Sequence, residues 1–113
     1  MPLVLPTTIR VAVVGAGPAG QAHAFGWRNA TMADRLSGVS IELDTIVDPN
    51  IELAKTVARR YGFRNAVADV QEVIENPAID AVSAALPNYL SVPVLSALLR
   101  AGKHVLGEKP LGR

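Results

Sequence analysis

The chain has 113 residues, half of them hydrophobic but only 4% aromatic, with no cysteine and a net charge of +1. That length allows one domain with a buried core, and the lack of thiols excludes disulfides and thiolate metal sites and points to a reducing cytoplasm. The near-neutral balance gives no footing for nucleic acid; no basic leader opens Met1-Pro2-Leu3-Val4-Leu5-Pro6, and no stretch approaches a membrane span.

Apolar strands alternate with amphipathic helical segments, without internal repeats or low-complexity tracts. The first strand, about Ile9–Val14, leads straight into Gly15-Ala16-Gly17-Pro18-Ala19-Gly20. This is a G-x-G-x-x-G set at the mouth of a helix predicted from Pro18 to about Leu36. Pro18 falls in the first helical turn, where its missing N–H costs nothing. Gly15 allows the tight turn, Gly17 lets a pyrophosphate approach the backbone, and Gly20 lets the helix pack close to the sheet. Free N–H groups and the positive end of the helix dipole then face the phosphates.

The second strand, Ile41–Val47, ends at Asp48, where an acid can bind ribose hydroxyls. A second helix is predicted with Asn50 as N-cap, an Ala54/Val57/Ala58/Tyr61 face and Gly62 as its stop. A short third strand, about Ala66–Ala68, precedes Asp69, which is expected to cap a short helix with Glu72 at the capping-box position. Asn76-Pro77 ends that helix, and a fourth strand, Ile79–Leu86, is closed by Pro87-Asn88. Ser91 reads as the N-cap of the next helix, with Val94, Ala97, Leu98 and Ala101 on one face and Gly102 as its end. The fifth strand, Lys103–Leu106, runs into Gly107-Glu108-Lys109-Pro110-Leu111-Gly112-Arg113.

This order predicts an α/β fold, a doubly wound parallel sheet forming one dinucleotide-binding Rossmann domain over residues 1–113. Ligands of such sheets lie at the carboxyl ends of the strands. The glycine turn, Asp48, Pro87-Asn88 and Glu108-Lys109-Pro110 all fall at such ends. His23 and His104 have no partner at metal-ligand spacing, so no metal is expected. Phe25, Trp27 and Met32 read as packing residues. Lys55 and Arg59-Arg60 read as a solvated helix face, one of whose arginines could approach the adenosine end.

Three blocks together are more specific than the glycines alone: GAGPAG, Leu86-Pro87-Asn88 with its following helix, and AGKHVLGEKPLG from Ala101 to Gly112. They resemble the N-terminal half of the Gfo/Idh/MocA oxidoreductases, and A-G-K-H-V-x-x-E-K-P is the most specific part. The E-K-P-x-G ending is also similar to glucose-6-phosphate dehydrogenase. The resemblance runs from about Ile9 to the last residue. It implies a Rossmann domain binding NAD or NADP, followed by a larger α/β domain that carries much of the substrate site.

On this chain the resemblance assigns the pyrophosphate turn to Gly15, Ala16, Gly17, Pro18, Ala19 and Gly20, and the adenine ribose to Asp48. It puts Pro87, Asn88 and Glu108 near the cofactor, and Lys109 beside the nicotinamide and the reacting hydroxyl as the catalytic residue. Many members have a histidine three residues after the asparagine, where this chain has Ser91. The sequence stops soon after Pro110, where the second domain is expected to begin. The chain is therefore expected to be a cofactor half, either truncated at its C-terminal end or separately encoded, and inactive alone. Family members are often dimers or tetramers, which leaves homo-oligomer formation open.

The leading functional reading is hydride transfer between nicotinamide and a sugar or polyol hydroxyl, with NAD preferred over NADP. A non-catalytic NAD(H)-binding module or sensor is the alternative. An FAD-binding domain also fits GAGPAG, but the AGKHVLGEKP block has no place in it.

Overall fold

A computed structural model describes residues 7–33, 39–85 and 88–107 of the chain. In chain order the elements are β1 (Thr7–Val14), α1 (Pro18–Ala33), β2 (Val39–Val47), α2 (Ile51–Tyr61), β3 (Asn65–Val67), α3 (Gln71–Ile74), β4 (Ala81–Ala84), α4 (Asn88–Arg100) and β5 (His104–Gly107). The five strands form one sheet in the order β3-β2-β1-β4-β5, and every neighbouring pair is parallel. Parallel strands need a crossover between them, and the intervening helices supply it on both faces.

Side-chain alternation along β1 divides the core in two. Val13 faces α1 and α2 with Ala24, Leu43, Ile46, Ala54, Val57 and Phe63. Ala12 and Val14 face α3 and α4 with Val47, Val73, Ile79, Val82 and Leu98. A sheet covered on both faces needs apolar residues at successive positions, and Val11-Ala12-Val13-Val14 is such a run, fully or almost fully buried. The doubly wound parallel fold expected from the element order is the fold observed.

One irregularity sits in β2. Val11 pairs with Leu43, but the next residue, Ala12, pairs with Thr45. Asp44 is the extra residue of a bulge. Its buried carboxylate accepts a hydrogen bond from the Thr45 hydroxyl at 2.6 Å and lies 3.6 Å from the Arg10 guanidinium. Leu43 and Ile46 would face opposite ways in a regular strand; the bulge puts both against α1 and α2.

Helix α2 ends as its sequence predicts. The Asn50 side chain accepts from the Leu53 N–H at 3.2 Å, and Gly62 adopts φ +88° with its N–H on the Ala58 carbonyl. Two other helix starts differ from expectation. The Asp69 carboxylate accepts from the Gln71 N–H, two residues on, so it closes a turn and Val70 occupies the N-cap position of α3. Helix α4 begins at Asn88, so Ser91 lies within its first turn instead of capping it. Pro93 then falls inside the helix, where it has no N–H for an intrahelical bond.

Buried Lys103, just before β5, donates from Nζ to the carbonyls of Asn76 at 2.6 Å and Ile79 at 3.0 Å. It thereby ties the end of the α3 region to the fifth strand. The expected ends at Leu36 and Leu86 lie outside the described residues. Among the described residues, no helix is long and apolar enough to cross a membrane.

Candidate functional site

The chain order across the sheet reverses between β1 and β4, and such a switch leaves a crevice at the carboxyl ends of those strands. The glycine turn begins in it. The Gly15 N–H donates to the Val47 carbonyl at 2.7 Å, and the Ala85 N–H donates to Val14 at 2.8 Å, so the turn's root is stitched to both neighbouring strands. Gly15 has φ +105°, and a Cβ there would lie 2.6 Å from the Ala85 carbonyl oxygen. Both conformation and space require glycine.

Gly20 has a different reason. A Cβ on it would stand 1.7 Å from the carbonyl oxygen of Gly15. The close approach of α1 at Gly20 is therefore to the Gly15 carbonyl, directly after β1. Gly17 has no such neighbour: a Cβ there would meet no protein atom within 4 Å.

The turn's N–H groups divide into used and unused. Gly15 donates to Val47, Ala16 to the Asp48 carboxylate at 2.8 Å, and Gln21 to Gly17 at 2.9 Å. Pro18 has no N–H. Among the described residues, the N–H groups of Gly17, Ala19 and Gly20 have no acceptor. They gather at the positive end of α1, beside the open space at Gly17. Three unused donors at a helix start, beside open space of that kind, fit the pyrophosphate of a dinucleotide.

Asp48 directly follows β2 and holds two backbone groups. One carboxylate oxygen accepts from Ala16 and the other from Asn50 at 2.9 Å. The acid thus joins the glycine turn to the start of α2, and each oxygen keeps lone-pair capacity for another donor, such as a ribose hydroxyl. A cavity of about 630 Å³ opens here, lined by Val14, Gly15, Val47, Asp48, Ala68 and Val70 among others. Its volume lies in the range of small-molecule and cofactor pockets.

Gly15, Ala16, Gly17, Pro18, Ala19, Gly20 and Asp48 therefore lie together at the carboxyl ends of β1 and β2. Asn88 opens α4 past the end of β4, on the same sheet edge. Pro87, Glu108 and Lys109 lie outside the described residues; Pro87 directly precedes α4 in the chain, and Glu108 and Lys109 directly follow β5.

Two side-chain contacts at the site escaped sequence reasoning. The Gln21 side-chain amide donates to the Ala16 carbonyl at 3.0 Å, and its oxygen accepts from Arg60 Nη1 at 2.9 Å. Gln21 and Arg60 stand 39 residues apart, and no spacing rule links them. The only hint was a polar side chain immediately after the last glycine. Arg60, grouped with the solvated face of α2, reaches toward the glycine turn, while Arg59 lines a groove with Phe63 and Asn65 beside β3.

The packing residues of α1 also divide. Trp27 packs against the core and donates from its indole N–H to the hydroxyl of buried Ser83 at 2.7 Å. Phe25, expected to pack, is 59% exposed, because the helix turns its neighbour Ala24 to the sheet instead. The Met32 side chain lies outside the described residues. Half-buried His23 lines a small apolar groove with Trp27 and Leu106, and His104 is exposed at the start of β5. Among the described residues, no group of His, Asp or Glu side chains could hold a metal ion.

Residues 9–112 match the family profile described as the Gfo/Idh/MocA oxidoreductase family, NAD-binding Rossmann fold. Levoglucosan dehydrogenase from Pseudarthrobacter phenanthrenivorans is 35% identical over 105 residues, covering 93% of this chain and 27% of the relative. Inositol 2-dehydrogenase from Corynebacterium glutamicum is 34% identical over 104 residues, covering 92% and 29%. A solved levoglucosan dehydrogenase in complex with NADH and levoglucosan superposes with a TM-score of 0.85 at 34% identity, over 92% of this chain and 28% of that one. The chain thus spans less than a third of the length of each relative.

Proposed function

The chain belongs to the Gfo/Idh/MocA oxidoreductase family as an NAD-binding Rossmann domain, and from that premise we propose that it serves hydride transfer between nicotinamide and a sugar or polyol hydroxyl. The observation that carries this reading is the open space at Gly17, at a helix start where the N–H groups of Gly17, Ala19 and Gly20 are unused among the described residues. Neither a positive φ nor protein packing demands a glycine at that position, and the open space there supports a ligand as the reason for it.

The nicotinamide, when bound, supplies the hydride chemistry, and the chain supplies orientation and charge stabilisation. Gly17, Ala19 and Gly20 donate to the pyrophosphate, and Ala16 and Pro18 shape the turn. Asp48 accepts from the adenine ribose, while Pro87, Asn88 and Glu108 line the nicotinamide end. Lys109 holds the reacting hydroxyl and eases loss of its proton. The names of the levoglucosan and inositol dehydrogenase relatives support a hydroxylated ring as substrate. The cysteine-free composition suits a cytoplasmic enzyme, and residues 1–113 read as one Rossmann domain.

A Gly17→Ala variant tests the site. Its methyl group meets no protein atom, so the melting temperature should stay near that of the parent chain. NADH affinity should fall at least about tenfold, because the methyl occupies the space for the pyrophosphate. Calorimetric titration beside a thermal melt reads both quantities. Undiminished NADH binding would remove the glycine turn from the site.

NAD should bind at least about tenfold more tightly than NADP, a preference of about 1.4 kcal/mol. Both Asp48 oxygens are tied to backbone N–H groups, so the carboxylate cannot swing away from a 2′-phosphate. Two unit charges about 4 Å apart interact by about 4 kcal/mol at an effective dielectric of 20. The next residue is Pro49, which offers no compensating charge. Equal or tighter NADP binding in the same titration would refute the role given to Asp48.

A further inference from the structure

We propose that Gln21, held in place by Arg60, is a positioning residue for the dinucleotide: it fixes the Ala16–Gly17 peptide so that the Gly17 N–H faces the pyrophosphate. The proposal rests on the dinucleotide-binding reading above and assigns two residues that neither the glycine fingerprint nor the family resemblance includes.

Ala16 is held at both of its backbone polar groups. Its N–H donates to Asp48 at 2.8 Å, and its carbonyl accepts from Gln21 Nε2 at 3.0 Å. A planar trans peptide points its C=O and the following N–H in opposite directions. With the Ala16 carbonyl pinned on the Gln21 side, the Gly17 N–H is turned away from Gln21. The space around Gly17 is empty of protein, and no acceptor takes that N–H among the described residues.

This peptide needs a clamp because of its neighbours. Gly17 lacks a Cβ, so its φ is only weakly constrained. A rotation of the Ala16–Gly17 peptide about its flanking bonds would present a carbonyl oxygen, instead of an N–H, to a doubly negative pyrophosphate. Repulsion would then replace a charge-assisted hydrogen bond.

Arg60 determines which end of the Gln21 amide faces Ala16. Its Nη1 donates to Gln21 Oε1 at 2.9 Å, which leaves the NH₂ group directed at the Ala16 carbonyl. Guanidinium groups only donate, so the opposite amide orientation would set NH₂ against guanidinium at one end and oxygen against carbonyl at the other. Arg60 also sits in the last turn of α2, where a cation favours the helix end whatever its contacts. The effect of Arg60 on ligand binding, unlike that helix-end effect, must pass through Gln21.

The test measures NADH, ADP and adenosine binding to the full chain and to Gln21→Met, Arg60→Met and the double variant, each with a thermal melt. Methionine matches the length of glutamine and keeps the apolar stem of arginine, but it cannot donate to an oxygen. Gln21→Met should weaken NADH and ADP binding about tenfold, the worth of about one hydrogen bond, and leave adenosine binding unchanged. Arg60→Met should weaken the same two ligands about threefold. The double variant should be no weaker than Gln21→Met alone, since both substitutions act through one contact.

The proposal fails if Gln21→Met binds NADH like the parent. It fails equally if adenosine is lost in step with NADH, or if the Arg60 effect adds in full to the Gln21 effect. Arg60 makes an exposed contact, so its substitution carries the pyrophosphate-against-adenosine comparison by itself should Gln21→Met not fold. A parent chain that binds neither NADH nor ADP would overturn the dinucleotide reading itself and the proposal with it. That outcome is distinct from normal parental binding that the variants fail to change.

Discussion

Gly20→Ala is expected to destabilise the domain by about 3 kcal/mol or more and to lower its melting temperature by roughly 10–20 °C. A Cβ at that position would lie 1.7 Å from the Gly15 carbonyl oxygen, a distance no side-chain rotation can relieve. The start of α1 must move away, and the obstacle is backbone already held by Val47. Gly26 in the same helix provides the internal control. It is exposed, and a Cβ there would meet nothing within 4 Å. Gly26→Ala should therefore stabilise the protein by about 1 kcal/mol, the ordinary gain from replacing glycine within a helix. Two chemically identical substitutions should thus have opposite signs, read from paired circular-dichroism melts. If Gly20→Ala melts with the parent, α1 does not approach the turn as described.

Lys109→Ala should lower kcat by roughly 10²–10⁴ in the intact enzyme, the usual range for a positioned proton-transfer group. NAD affinity should hardly change, since the pyrophosphate and ribose partners proposed above are other residues. Strand β5 ends at Gly107 on the edge that carries the glycine turn, and the E-K-P run follows immediately in the sequence. An ammonium there could hold the substrate hydroxyl and stabilise the charge that develops as its proton leaves. Lys109→Arg should rescue little, because a guanidinium keeps its proton at any working pH and presents it in a different geometry. Turnover over a panel of sugars and polyols, with NADH binding measured on the same preparations, separates chemistry from binding. Full turnover by the alanine variant would make Lys109 an ordinary surface lysine.

The parts of the fold legible in sequence are those set by local chemistry. Pro18 can start a helix because it lacks an N–H, Gly62 can end one because it reaches positive φ, and Val11–Val14 reads as a strand buried on both sides. The turn and Asp48 were legible for the same reason: each directly follows an apolar strand. Asp69 and Ser91 misled, because both residue types favour helix starts but neighbouring geometry decides which turn they close. Tertiary pairings were beyond reach. Trp27 with Ser83 and Lys103 with Asn76 join residues 56 and 27 positions apart. Phe25 reads as a packing residue in the sequence, yet the helix rotates it into solvent. The clamp on Ala16 was hidden too, since it depends on α1 and α2 lying side by side.

The extra residue at Asp44 bears on how the site is located along the chain. Val11 and Val14 are three positions apart, whereas their partners Leu43 and Val47 are four apart. Were every residue of β2 to take a partner in turn, Asp48 would overshoot Gly15 and come level with Ala16. By absorbing the surplus midway, the strand keeps its early half and its late half in place independently. The fold's ruler from strand start to acid is marked in strand pairings, so a fixed residue count carried over from an unbulged strand would miss Asp48 by one.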